Sequence, residues 1–412
     1  MAAPPSVTRS RRDLLAAVAG TITCASPVFL VGALAVQIRA DLHFTTSGLG
    51  IIAALYYCGS GATSILLGRA TEAIGGLRMM RLATLGTTLA LLLIALVVRS
   101  WLSLAVVMLP AGIASAAMQP AVNLFLARRI AQERQGLAFG LKQSSVPMAA
   151  MISGLAVPSV GLTLGWRWSF VLASILAAVI AVLLPSPTRS FSEQRAAHHA
   201  ATPTPVDRMP LIVLAIGFGL GVAAASSLTA FLVSSAVAGG IANATAGYLV
   251  AFGGAVAAGS RILNGRRADR QTRSHLPSVA VLLGCGALGY GALALVASHH
   301  LLAWYFPAAA LVFGAGGGWN GLLVYAVVRM YPESPARATG ITQTGARFGG
   351  MLGPLTFGLV IDHASYGVAW LFAALAALLA AGTVIVGGRL VRRNGAALAS
   401  DVPDRAPTPR AS

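Results

Sequence analysis

The chain has 412 residues, of which 57% are hydrophobic and only 10% charged, and its mean hydropathy is +0.78. So little polar surface cannot cover so much apolar volume, which excludes a soluble globular domain and leaves a helical membrane protein. The net charge of +18 calls for no nucleic acid partner, because membrane topology and attraction to anionic lipid headgroups account for it.

Apolar runs of roughly 20 residues, the length that crosses a ~30 Å hydrocarbon core, recur along the chain. The first six are predicted near 14–37, 47–67, 79–98, 101–126, 137–161 and 168–185. A polar stretch at 186–209 follows, holding Arg189, Arg195, His198, His199, Arg208 and several prolines. Six more spans are predicted near 210–236, 243–264, 277–298, 301–328, 339–361 and 367–388. The expected organisation is a tail (1–12), a six-helix bundle (13–186), a linker (187–209), a second six-helix bundle (210–390) and a second tail (391–412). The 46 glycines and 20 prolines suit close-packed, kinked membrane helices. Cys24, Cys58 and Cys285 fall inside apolar runs and read as small core residues. Ser10-Arg11-Arg12-Asp13-Leu14-Leu15 has the look of a twin-arginine export signal, but further spans follow it, so the run is read as the first span.

Lys and Arg near span ends stay in the cytoplasm. With the N terminus inside, 23 of the 29 basic residues fall on the cytoplasmic side, and Arg39, Arg99 and Arg167 fall outside. Lys142, Arg261 and Arg347 lie within spans. Both termini are therefore expected in the cytoplasm, with the protein in the plasma (inner) membrane.

Sliding the chain on itself by 200 residues reveals a repeat. Arg129, Glu133, Ala138, Gly140, Gln143 and Met151 match Arg329, Glu333, Ala338, Gly340, Gln343 and Met351. A second echo pairs Gly68-Arg69-Ala70-Thr71-Glu72 with Gly265-Arg266-Arg267-Ala268-Asp269. An even number of spans separates the copies, so the halves share one orientation and are related by an axis along the membrane normal.

At these loops the chain resembles the major facilitator superfamily. The first copy of that family's loop signature reads Gly68-Arg69-Ala70-Thr71-Glu72-Ala73-Ile74-Gly75-Gly76-Leu77-Arg78 and the second Gly265-Arg266-Arg267-Ala268-Asp269-Arg270. Ala73 stands where the family usually has Arg, and Glu72 where it has Asp. The resemblance implies an all-α membrane fold of about twelve helices in two parallel-repeat bundles, and a rocker-switch carrier with a central cavity. Gly68, Glu72, Gly75, Gly265, Asp269 and Arg270 become candidates for a conformational latch, since an acid at a tight turn can cap a helix N terminus or pair with a facing Arg in one state only. The alternative is that these are solvated loop charges. Span five, Gly140-Leu141-Lys142-Gln143-Ser144-Ser145-Val146-Pro147, is similar to carriers of the cyanate and organic-anion permease branch.

Every acidic residue falls at a span end or in a loop, whereas three cations lie within spans. Lys142 is the sole lysine. Arg347 sits about nine residues into span eleven, roughly 13 Å deep at 1.5 Å per residue, and must face the interior. Gln343 and Arg347 share one helical stripe, and Gly345, Gly349 and Gly353 form another about 140° away that should pack on a neighbour. The expected substrate site is therefore Arg347 and Lys142 on an anion, with Gln143 and Gln343 donating hydrogen bonds and with Gln119, Asn123, Trp319 and Asn320 as further cavity candidates. Tyr56 and Tyr57 are weaker candidates, and Arg261 reads as structural. The bland alternative makes Lys142 a snorkelling end residue and sends Arg347 to carbonyls freed near Pro354.

Transport of a small, anionic solute by alternating access is the favoured function. A proton-coupled multidrug or metabolite efflux carrier is the alternative, and a non-transporting membrane sensor or scaffold is the reading from another class. No Walker phosphate loop, catalytic triad or metal cluster is visible, so no enzyme, cofactor or metal is expected. The expected partners are a small-molecule substrate, the lipid bilayer and a coupling proton or counter-anion, with the protein a monomer.

Overall fold

A computed structural model describes the backbone of residues 7–129, 132–185, 208–270, 275–331 and 335–400. The first half comprises α1 (Val7–Ala33), α2 (Ala35–Leu42), α3 (Thr46–Ile74), α4 (Gly76–Leu96), α5 (Trp101–Arg129), α6 (Gln132–Ala156) and α7 (Trp166–Leu183). The second comprises α8 (Arg208–Ala238), α9 (Asn243–Arg270), α10 (Leu276–His299), α11 (Tyr305–Gly314), α12 (Trp319–Met330), α13 (Pro335–His363) and α14 (Tyr366–Ser400). Helices are the only open-chain answer to hydrocarbon, since each satisfies its own backbone.

Among the described residues, eleven helical segments are long and apolar enough to cross a membrane. One of them, Leu302–Met330, contains both α11 and α12 and is interrupted by turns at 315–318. The remaining predicted span is α13, whose 29 residues have ample length. Its apolar character is diluted by Arg337, Thr339, Thr342, Gln343, Thr344 and Arg347. α14 continues as helix to Ser400, past the predicted start of the tail. The linker 187–207 and residues 401–412 lie outside the described residues.

Glycine sets the spacing within each half. In the first, α3 lies on α5 so closely that a Cβ at Gly112 would stand 1.9 Å from the Tyr56 carbonyl. In the second, Gly345, Gly349 and Gly353 seat α13 on Ala215, Gly219 and Ala223 of α8, as their spacing predicts. Gly75 joins α3 to α4 with φ of +90°, a conformation that costs other residues a steric clash. Outward-facing side chains such as Leu82, Val182, Leu288 and Phe372 are exposed, which suits contact with lipid acyl chains.

The halves meet along α1–α8, α3–α13 and α6–α9. Gly32 approaches the Thr229 carbonyl, Gly50 the Pro354 carbonyl, and Gly154 the backbone of Gly247 and Ala251. At one end the contact is polar: the Ser47 backbone N–H donates to Asp362 Oδ2 at 2.9 Å, and the Ser47 hydroxyl donates to the same oxygen. Toward the other end the inter-half contacts described run as far as Ser60–Arg347 on one seam and Gln143–Arg261 on the other. Gly68, Gly265 and Gly340 beyond them have open space at the Cβ position. Arg167 ties the first half together near the end that holds Asp41, bonding Asp41 at 2.9 Å and the Val98 carbonyl at 2.8 Å.

Candidate functional site

Two cations predicted for the site project from helices that face the opposite half or the middle of their own. Lys142 is 5% exposed on α6, and its Nζ donates to Gln119 Oε1 of α5 at 2.5 Å. Arg347 is half-buried on α13, and its Nη1 donates to Ser60 Oγ of α3 at 2.5 Å, crossing between the halves. Its Cβ lies 3.4 Å from where a Cβ on Gly61 would stand, so small residues on α3 make the room for it. Lys142 has three donors and Arg347 five, so each can still reach a ligand after this single described bond.

Arg261 of α9 is the third cation. Its Nη1 donates to the Gln143 carbonyl at 2.6 Å, and its Nε donates to the Gly317 carbonyl at 2.8 Å, within the turns between α11 and α12. Ser260 Oγ donates to the Gly314 carbonyl in the same interruption at 2.5 Å. A broken helix inside a membrane frees carbonyls that need donors, and α9 supplies them.

The remaining predicted residues differ in burial and contacts. Gln143 is half-buried, and its side chain approaches Gly321 of α12. Gln343 and Asn320 are half-buried, and Asn123 is exposed one turn along α5 from Gln119. Trp319 departs from the prediction: it is 2% exposed and packs edge-on against Phe218 in the apolar core of the second half. Adjacent residues of a helix point about 100° apart, so Trp319 faces the core while Asn320 is half-buried. Tyr56 is also a packing residue, its hydroxyl donating to the Cys24 carbonyl at 3.2 Å, while Tyr57 lies against Gly350.

Of the latch candidates, Glu72 is exposed and forms no ion pair among the described residues. The side chains of Asp269 and Arg270 lie outside the described residues. Sequence reasoning missed Ser60 and the Ser47–Asp362 pair. Their signals are faint: one small hydroxyl a turn from Tyr56, and one carboxylate at a helix end.

An apolar groove of about 840 Å³ lies between α8, α13 and α14, lined by Ile216, Phe348, Leu352 and Phe372 among others. Phe348 and Phe372 are exposed, so the groove opens to the lipid side, and none of the three cations lines it.

Comparison with known proteins agrees with this architecture. Residues 16–354 match the family model of the Major Facilitator Superfamily. The chain belongs to the Major Facilitator Superfamily. As a member it is a multi-pass membrane transporter and not an enzyme. It is 26% identical over 381 residues to an uncharacterized transporter, YycB, of Bacillus subtilis (strain 168), which covers 85% of this chain and 88% of that protein. Its fold is similar to crystal structures of a bacterial homologue of the human lysosomal transporter Spinster. One, inward-facing and occupied, has a TM-score of 0.70 at 15% identity and covers 98% of this chain and 100% of that one. Another, inward-facing and unoccupied, has a TM-score of 0.70 at 14% identity, with the same coverage.

Proposed function

We propose that this transporter is a secondary carrier that moves a small anionic solute by alternating access. The observation that supports the substrate class is a charge imbalance. Lys142, Arg261 and Arg347 bond a side-chain amide, backbone carbonyls and a hydroxyl, all of them neutral. The one salt bridge among the described residues, Arg167–Asp41, lies at the far end of the first half. Uncompensated cations are expensive within a membrane and persist where function needs them. A bound anion supplies the missing charge, with Lys142 and Arg347 contacting it from opposite halves and Gln119, Gln143, Gln343 and Asn320 offering further hydrogen bonds.

Alternating access is supported by halves that meet through Ser47 and Asp362 at one end, while Gly68, Gly265 and Gly340 toward the other have open space at their Cβ positions. The positive-inside bias assigns the open end to the cytoplasm and puts both termini there, in the plasma membrane. The described conformation is then inward-facing, like those of the Spinster homologue. Glu72 and Asp269 serve in this scheme as latches that engage when the cytoplasmic end closes. The span-five stretch beginning at Gly140 aligns this carrier with the cyanate and organic-anion permease branch.

The test is uptake of labelled organic and inorganic anions into proteoliposomes, comparing the parent with Lys142→Gln and Arg347→Gln under imposed pH and potential gradients. An anion should accumulate in the parent, and each variant should lose transport by about 10- to 100-fold, as expected for one charge-assisted contact of about 1.5–3 kcal/mol. Movement of cationic or neutral lipophilic compounds alone, unaffected by both substitutions, would replace this function with efflux.

A further inference from the structure

α6 and α9 run against each other through small residues. A Cβ at Gly154, Gly247 or Gly254 would stand within 2.8 Å of an atom across the seam. Such a seam is close but smooth, for glycine offers no knob to fix sliding or rotation. Arg261 is the side chain that crosses it with hydrogen bonds among the described residues.

Its acceptor is special. Pro147 lies inside α6 and has no N–H, so the carbonyl four residues earlier, that of Gln143, loses its helical donor. In hydrocarbon an orphaned carbonyl must find another donor. The donor arrives from the other half: Arg261 Nη1 stands 2.6 Å from Gln143 O. Nε of the same planar group holds the Gly317 carbonyl at 2.8 Å, where the path from α11 to α12 leaves helical geometry. A rigid guanidinium fork thus fixes one backbone point in each half relative to the other.

We propose that Arg261 is the pin that keeps the two halves in register as they rock, with Pro147 creating the socket that receives it. Its geometry stands on hydrogen bonds alone, and its place in a cycle rests on the alternating-access reading. The pin sits near the inner limit of the closed seam, so outward rotation can separate Gly154 from Gly247 while Gln143 and Arg261 stay joined.

The experiment measures distances between spin labels in the full-length protein reconstituted in nanodiscs. Labels at Thr163→Cys and Ala242→Cys report the closed end, and labels at Ala73→Cys and Arg267→Cys report the open end. Pro147→Ala restores the in-helix donor and competes for the socket without touching any charge. Pro147→Ala and Arg261→Gln should each broaden the distributions at both ends beyond the labels' own spread. The double variant should be no broader than Arg261→Gln, because the bond to the Gln143 carbonyl is already lost there. Arg261→Lys should lie between, since an ammonium cannot hold two carbonyls in a fixed fork. Where Arg261→Gln fails to fold, Pro147→Ala carries the test, as alanine favours the helix. Distributions unchanged by Pro147→Ala overturn the pin and leave Arg261 acting through its charge. A parent with one narrow distance at each end under all conditions overturns alternating access instead, and broadening in the variants still decides the pin.

Discussion

The α3–α13 seam and the α6–α9 seam both bring backbones close through glycine, but different polar groups cross them. Along the first, the polar contacts are made to side chains: Ser47 on Asp362 at one end and Arg347 on Ser60 at the other. Along the second, backbone meets backbone through glycine, and the cation that crosses, Arg261, spends its donors on two carbonyls. A hydroxyl is easily displaced by an anion, whereas a carbonyl orphaned by proline is not. The difference separates two tasks for positive charge. In the proposed scheme Arg347 and Lys142 bind the anion, and Arg261 holds the halves.

Substitutions can break this division. The largest effect is expected from Lys142→Gln combined with Arg347→Gln, which should reduce anion transport by about 100-fold or more while the protein remains folded. Uptake normalised to folded protein in the membrane measures it. Next comes the glycine seam. Gly154→Leu would push a side chain into the backbone of Gly247 and Ala251, 2.6 Å from the position of its Cβ, and should cost about 1–3 kcal/mol of stability. Gly61→Ala on the other seam meets only the Arg347 side chain at 3.4 Å and should be nearly neutral. Thermal unfolding in detergent compares the two, and equal losses would erase the distinction between these two positions.

Much of this was legible in the sequence. Long apolar runs and a 200-residue repeat mark spans and halves because hydrocarbon forces the chain into helices of fixed length. The stripe Gly345, Gly349, Gly353 announced a tight neighbour through spacing alone, and α8 is that neighbour. The interior position of Arg347 was readable from its depth, and the side chain is half-buried and reaches Ser60. What stayed hidden depends on phase and partners: Trp319 begins a helix after a break at 315–318, and the acceptors of Arg261 lie in α6 and in those turns, distant in sequence. Asp362 read as an edge charge because its partner, Ser47, sits 315 residues away.

Smaller effects sharpen the comparison further. Asp362→Asn keeps an acceptor for Ser47 but loses the charge, so the closed end should open more often by a few-fold, corresponding to about 1 kcal/mol. Labelling of a single cysteine at the closed end, in a background lacking Cys24, Cys58 and Cys285, would report the change. The smallest effect concerns His275, just before α10, whose ring lies 5.2 Å from that of Tyr325. Burial first, and then the nearby Arg329, hold its pKa below the ordinary histidine value. The neutral form is favoured in the fold, so this contribution is complete above pH 6.5 and is lost as pH falls below it, by at most about 1.4 kcal/mol per unit. Thermal unfolding between pH 7.5 and 5.5 should show a steeper loss for the parent than for His275→Gln.

Binding tests the central claim most directly, because it is independent of direction and coupling. Purified protein would be heated with a panel of small organic and inorganic anions, lipophilic cations and neutral compounds, alongside the Lys142→Gln, Arg347→Gln double variant. At least one anion should raise the unfolding temperature of the parent and leave the double variant unchanged. Stabilisation by cations or neutral lipophiles alone, equal in both proteins, would contradict a cationic substrate site.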